Sequence, residues 1–328
     1  MIILKLLSLL ARLLPLSLAL KCGEVLGLLF YYLFPSRRRI TLDNLRQAFN
    51  STLHAPRSTL YAPLSEAMVG STPKAAHREA RYSPALIGRS MARNMGQNAI
   101  EFLRLPSMTK DNMDDYIKWS GLEHLDNALK LQKGAFVLTA HLGNWDLVAS
   151  GYSLKGYQVN LITKHLKIDF LNRFWMESRA QKNITQLYRE GSIKEIINAL
   201  KRNELMGFIL DQHTHSADGV LVDFFGRPCW TTPGLAVLAQ RLKAPVVPSF
   251  IIRQPNGTHK VFIEPAIPFV EKESQEETIR YNTQVYTNVL EKYIRQYPDQ
   301  WIWMHRRWKV ATHPVREDGE NSATDSTD

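Results

Sequence analysis

Ala135-Phe136-Val137-Leu138-Thr139-Ala140-His141-Leu142-Gly143-Asn144-Trp145-Asp146 is the stretch on which the reading of this chain turns. The apolar run Ala135–Ala140 follows a glycine and reads as a short buried strand. Asn144 is placed to cap a helix through Trp145, Leu147 and Val148. His141 therefore falls where a strand ends and Asp146 in the first turn of the next helix. On one continuous helix the two would point roughly 140° apart; across a strand–turn–helix corner they can meet. A carboxylate there can hold one imidazole nitrogen protonated and leave the other as a base. The helix start adds free N–H groups and positive potential, which suit an oxyanion or a phosphate. The backbone of Gly143–Trp145 and the side chain of Asn144 are thus candidates for stabilising negative charge. The plain alternative is a hydrogen-bonded His–Asp pair of structural role only.

Working outward, the chain alternates strand and helix. Val159–Thr163, Ile184–Tyr188, Met206–Leu210, Pro245–Ile252 and His259–Ile263 read as strands, the last two joined through the hairpin signal Pro255-Asn256-Gly257. Helices are expected at 144–154, 168–181, 192–200, 232–242 and 276–295. Ser192 with Glu195 forms a capping-box pattern, and Thr232-Pro233 is a strong helix start. The expected fold class is α/β, a mixed and mostly parallel sheet flanked by helices, with an N-terminal membrane-anchor helix. Four segments are expected: an anchor at 1–40, a helical region at 41–110 with a loop insertion at about 51–84, an α/β domain at 111–310, and a disordered tail at 311–328. The insertion is rich in Pro, Ser and Thr, and the tail has no apolar anchor.

The chain has 328 residues, 45% of them apolar, enough to bury a sizeable core. Its net charge of +10 at pH 7 suits phosphate-bearing partners: nucleic acid, anionic lipid or a phosphorylated substrate. The two cysteines, Cys22 and Cys229, are too few for a disulfide framework or a thiolate zinc site. The N-terminus decides among the phosphate partners. Leu6–Leu20 and Val25–Phe34 are apolar with few interruptions and are followed by Arg37-Arg38-Arg39. This reads as an uncleaved membrane anchor, either one marginal span or a pair of in-plane helices, with the arginines on the cytoplasmic side.

Three other stretches carry candidate chemistry. Asp211-Gln212-His213-Thr214-His215 follows a strand. Its alternation could bring Asp211, His213 and His215 onto a metal, but such short spacing is a weak signal, and lining a polar cleft beside His141 is the preferred reading. Val222–Pro228 joins aromatics to a turn, either walling an apolar tunnel or packing as a hydrophobic turn on the core. Trp301-Ile302-Trp303-Met304-His305-Arg306-Arg307-Trp308-Lys309 combines indoles with cations and suits a membrane interface or a phosphate-bearing amphiphile, with Arg306 a candidate contact, and equally nucleic acid through stacking and phosphate pairing. Arg189, before Gly191-Ser192, could hold a phosphate or polarise a carbonyl.

Taken together, His141-Leu-Gly-Asn-Trp-Asp146, Asp211-Gln212, Asp223-Phe-Phe-Gly, Thr232-Pro-Gly-Leu-Ala and Trp303-x-His305-Arg306-Arg307-Trp308-Lys309 resemble the bacterial lipid A late acyltransferases, within the wider His-x4-Asp acyltransferases. The resemblance runs from the N-terminal anchor to about Lys309. It implies transfer of a fatty acyl chain from acyl carrier protein or coenzyme A, as donor substrate and not cofactor, to a hydroxyl of a lipid A precursor or related glycolipid. It implies a bacterial inner-membrane location with the catalytic domain facing the cytoplasm, no metal, and no nucleic-acid partner. Carried onto this chain, His141 is the general base, Asp146 its orienting partner, Asp211 a supporting acid, and Arg189 part of the oxyanion or phosphate site. Two departures matter. Many relatives have Glu where Asp146 stands, and many have Arg where Lys164 stands, so an oxyanion contact there would be a point charge in place of a fork. No Gly-x-Ser-x-Gly elbow is present, which favours direct transfer over an acyl-enzyme. The rival readings are a thioesterase-like hydrolase and a non-catalytic basic membrane-binding protein.

Overall fold

The computed structural model describes residues 2–49, 83–188 and 192–309. Four helices open the chain: α1 (Ile2–Leu13), α2 (Leu16–Leu33), α3 (Pro35–Phe49) and α4 (Pro84–Arg104). There follow α5 (Met113–Tyr116), β1 (Ile117–Ser120), α6 (Leu122–Leu129), β2 (Ala135–Thr139), α7 (Trp145–Leu154), β3 (Val159–Thr163), α8 (Asp169–Ala180), β4 (Ile184–Tyr188), α9 (Ile193–Lys201) and β5 (Leu205–Ile209). The rest is β6 (Val220–Phe224), β7 (Arg227–Thr231), α10 (Gly234–Leu242), β8 (Val246–Arg253), β9 (His259–Ile263) and α11 (Gln275–Gln296).

Seven strands make one sheet in the order β1-β9-β8-β2-β5-β3-β4. Its central strands pair in parallel, β8–β9 pair antiparallel, and β1 follows β9. All five residues of β2 are buried, as expected of a central parallel strand covered on both faces. Alternate residues serve two cores. Phe136 and Leu138 face a cluster with α9, α10, α11 and the Trp301–Trp308 segment, while Ala135 and Val137 face one with α6 and α7. The strand period of two thus divides one apolar run between two layers.

The expected mixed α/β sheet is present, and the expected strands lie within about one residue of the observed ones. The hairpin through Pro255–Gly257 is also present: Gln254 N–H donates to Thr258 O at 2.7 Å and Gly257 takes φ +84°. Other details differ from the expectation. Strand β1 and the β6–β7 hairpin had no strand reading. Phe225 and Gly226 turn that hairpin with φ +59° and +73°, the pattern of a two-residue primed turn. Phe225 tolerates this because it is fully buried against Phe49, Trp303 and Trp308. The Val222–Pro228 stretch is therefore a hydrophobic turn packed on the core, not a tunnel wall. Ser192 stands at the start of α9, but its backbone is already helical at φ −78°, ψ 0° and its side chain makes no cap bond, so the capping box does not form. The insertion expected at about 51–84 falls almost wholly outside the described residues, and the tail at 311–328 falls wholly outside them.

Candidate active site

The register of the two central strands builds the site. Thr139 of β2 sits opposite Ile209 of β5. Two residues further on, His141 and Asp211 leave the carboxyl end of the sheet side by side, where α/β proteins gather ligand-binding groups. The Asp211 carboxylate accepts from His141 Nδ1–H at 2.8 Å through one oxygen and from the His141 backbone N–H at 2.7 Å through the other. Trp301 Nε1–H donates to the second oxygen at 2.6 Å. Burial would raise the Asp211 pKa, but His141 and then Trp301 hold it well below the usual carboxylate range. Burial likewise would lower the His141 pKa. The charge and hydrogen bond of Asp211, with a smaller contribution from Asp146, raise it above the ordinary value instead. With Nδ1 committed, Nε2 is the free nitrogen. Nε2 faces the Gln212 side-chain amide at 3.5 Å, a weak contact at best, and the His141 ring centroid lies 5.7 Å from that of His305 and 4.9 Å from that of Trp145.

Asp146 takes a different place from the one its spacing suggested. It lies buried in the first turn of α7, and its carboxylate accepts from Arg179 Nε–H at 2.7 Å and Trp175 Nε1–H at 3.2 Å, both from α8. The orienting hydrogen bond to His141 comes from Asp211, because β5 delivers that carboxylate directly beside the ring. Asp146 acts on His141 only through its charge. Arg179 and Trp175 had no reading from sequence. A lone Arg on an amphipathic helix looks like an ordinary surface cation, and nothing local says that it turns inward.

The corner between His141 and α7 is clamped from two sides. Gly143 takes φ +62°, and a Cβ there would lie 1.9 Å from Ile251 O, so only glycine fits. The Gly143 N–H donates to Gln300 O at 3.0 Å and Ile302 N–H to His141 O at 3.3 Å, so the 300–302 segment runs across the corner. The Gly143 N–H is thereby occupied and drops out of the candidate oxyanion donors. On the other side stands α4. Asn98 Nδ2–H donates to Gly143 O at 2.7 Å. Glu101, also buried, accepts from Asn144 Nδ2–H at 2.7 Å, from His259 Nε2–H at 2.9 Å and from Arg253 Nη2–H at 2.8 Å. Burial would raise the Glu101 pKa, but His259 and Arg253 bring it down to about 2, so a full carboxylate sits beneath the corner. Asn144 does cap α7, accepting from Leu147 N–H at 3.2 Å. Its amide is spent on Glu101, which makes it a part of the scaffold and not a substrate contact.

The remaining sequence candidates scatter. Lys164 is exposed beyond the end of β3 and makes no polar contact with His141, Asp146 or Asp211. Arg189 lies outside the described residues. Arg306 is exposed, whereas Arg307 is fully buried, donating to Gln212 O at 3.0 Å and Trp230 O at 2.8 Å. Trp301, Trp303 and Trp308 are buried with it, so this segment is core and not the amphiphilic surface its composition suggested. Arg307 pins the loop that follows Asp211. Among the described residues no three His, Cys, Asp or Glu gather as metal ligands, and Asp211, His213 and His215 do not converge.

An apolar cavity opens beside the site, where Trp145 of its lining packs against the His141 ring. It lies between α7 and the sheet. Thr139, Trp145, Ile209 and Arg179 line its end nearest His141, and Val159 and Leu205 lie toward the amino ends of their strands. Gly207, in the middle of β5, lines it at half depth, with the Leu161 side chain close against its Cα.

A mostly parallel α/β sheet with a carboxylate-held imidazole at its carboxyl end is an arrangement suited to moving a proton. The chain belongs to the bacterial lipid A biosynthesis acyltransferase family, whose model matches residues 78–310, well over half of its length. It is similar to the lipid A biosynthesis acyltransferase of Haemophilus influenzae, with 23% identity over 65% of this chain and 64% of that one. It is 26% identical to the lipid A biosynthesis lauroyltransferase of Escherichia coli, over 60% of this chain and 62% of the relative. It is 27% identical to a phosphatidylinositol mannoside acyltransferase of Mycobacterium tuberculosis, over 45% of this chain and 49% of the relative. The chain thus spans less than two thirds of the length of these curated relatives.

Proposed function

We propose that this protein is a membrane-associated acyltransferase. It moves a fatty acyl chain from a thioester of acyl carrier protein or coenzyme A to a hydroxyl of a lipid A precursor or related glycolipid. The observation that carries the reading is His141, fixed twice by Asp211 with Nε2 open, its ring packed on Trp145, which lines an apolar cavity. The names of the relatives support acyl transfer to a glycolipid.

In this reading the acyl chain lies in the cavity with its thioester carbonyl at the His141 end. Nε2 takes the proton of the acceptor hydroxyl as its oxygen attacks the carbonyl carbon. The C–S bond then breaks, and the proton on Nε2 passes to the departing thiolate. Asp211 stabilises the transient imidazolium without becoming protonated itself. Arg179, buried along the cavity and electrostatically coupled to His141, takes the oxyanion role expected of Lys164 or Arg189. The net positive charge suits both an acidic carrier and a phosphorylated acceptor.

The test is incubation of detergent-purified protein with a labelled acyl thioester and glycolipid acceptors, wild type against His141→Ala, with products identified by mass. An acylated glycolipid formed by the wild type and lost in a folded variant is the expected result. Release of free fatty acid at the same rate with and without acceptor overturns it in favour of a hydrolase.

A further inference from the structure

The two N-terminal helices carry their apolar side chains outward. Ile3, Leu10 and Leu13 of α1 are 72%, 57% and 72% exposed, and Val25, Leu26 and Leu33 of α2 are 57%, 56% and 71% exposed. A contiguous face of this kind is far larger than the scattered apolar residues of ordinary surfaces. Arg37, Arg38 and Arg39 stand exposed where α2 passes into α3.

By length and composition alone α2 is able to cross a membrane, with 18 residues at mean hydropathy 1.5. Its packing argues against crossing. Along most of its length α2 lies on α4. A Cβ on Gly27 would fall 1.9 Å from Ala92 O, and one on Gly96 would fall 1.9 Å from Gly23 O, so the backbones touch. Glu24 accepts from Gln97 at 2.8 Å in the same seam. α1 is tied to the same helix, with Ser8 Oγ–H donating to Leu103 O at 2.6 Å and Arg104 donating to Leu14 O at 2.8 Å. A spanning α2 would either leave α4 or drag it into hydrocarbon together with Arg89, Arg93 and Gln97. Arginines carried into hydrocarbon are costly. An in-plane pose needs neither step.

We infer that α1 and α2 form an in-plane docking surface for one leaflet of an anionic bilayer. Their outer faces sink among the acyl chains, Arg37–Arg39 meet the lipid phosphates, and α2 remains on α4 without crossing. This rests on the membrane-associated reading above and fixes the form that association takes.

The full chain, carrying a protease-cleavable tag before Met1, is added from outside to preformed vesicles of phosphatidylethanolamine and phosphatidylglycerol and recovered by flotation. The tag is expected to be cut by external protease without detergent, as the catalytic domain is accessible on the same side. A disulfide between Glu24→Cys and Gln97→Cys, in a Cys22→Ser background, is expected to leave flotation unchanged. Arg37→Gln/Arg38→Gln/Arg39→Gln is expected to weaken binding to these vesicles about a hundredfold and to leave binding to neutral phosphatidylcholine vesicles unchanged. A tag cut only after detergent, or a lock that abolishes flotation, overturns the in-plane pose while leaving membrane association standing. No flotation of the wild type overturns membrane association itself. The acyltransferase reading is untouched by all of these, since no step reads activity.

Discussion

Asp211 holds His141 by ring and backbone together, one carboxylate oxygen on Nδ1–H at 2.8 Å and the other on the main-chain N–H at 2.7 Å. The first bond sets the tautomer and the second sets the position of the residue that carries it. An asparagine at 211 keeps one acceptor and turns an NH₂ group against an N–H donor. Asp211→Asn is expected to lower the acyl-transfer rate by about three to four orders of magnitude. It is also expected to cost about 1–3 kcal/mol of stability. Turnover and thermal unfolding of the same preparation check both.

The pH dependence follows from the same pair. The base must be neutral, and Asp211 lifts the His141 pKa above its ordinary 6.5. Transfer is therefore expected to rise with pH through a step above 6.5, and that step should move downward in Asp211→Asn. Stability runs the other way. The imidazolium's contribution is fully present below the unfolded value of 6.5 and is lost as pH rises through the folded one. The Asp211 pKa is depressed on folding, so its contribution is present above the unfolded value of 3.8 and is lost as pH falls toward the folded one. Rate–pH profiles and unfolding at matched pH separate the two effects.

Asp146 and Arg179 are 6% and 10% exposed at their side chains, so neither tolerates losing the other. Asp146→Ala is expected to destabilise by about 3–5 kcal/mol, because it strands a buried guanidinium. Asp146→Ala with Arg179→Met should cost clearly less than the sum of the two single changes. A double-mutant cycle by denaturant unfolding reads the coupling. Additive costs would mean that the pair does not act as a unit.

Gly207 is where the cavity can be narrowed without touching His141. A Cβ there would meet Leu161 Cδ2 at 2.6 Å, the mobile end of a side chain, so Gly207→Ala is expected to fold with a loss of about 1–3 kcal/mol. Acyl preference should move toward shorter chains in Gly207→Ala and further in Gly207→Val. A competition assay with mixed acyl donors measures this, and unchanged preference would place the acyl chain elsewhere.

The sequence made β2, the corner and α7 legible, because an apolar run, a glycine and an asparagine cap each leave a local mark. It also put Asp211 at a strand end. It does not show that β5 lies beside β2 in a register that sets Thr139 against Ile209, so sequence alone points to the nearer carboxylate, Asp146, as the partner of His141. Arg179 and Glu101 were invisible for a related reason. Each is a single charge on a helix whose inward turn depends on partners from distant segments. The Trp301–Lys309 stretch misled through composition. Arg307 enters the core because backbone carbonyls of Gln212 and Trp230 are there to receive it, which no residue count reveals.

Helix α4 serves two masters. Ala92 and Gly96 seat α2, and Asn98 and Glu101 carry the corner beside His141. From Ala92 to Glu101 a helix rises about 13 Å. That rise works as a gauge: it fixes how far the seat of α2 lies from the corner along one rigid rod. A single residue added between Ala92 and Asn98 would swing Glu101 by about 100° and lift it by about 1.5 Å, throwing the gauge and the corner out of step together. The spacing between the N-terminal helices and the His141 corner is thus written into the residue count of one helix.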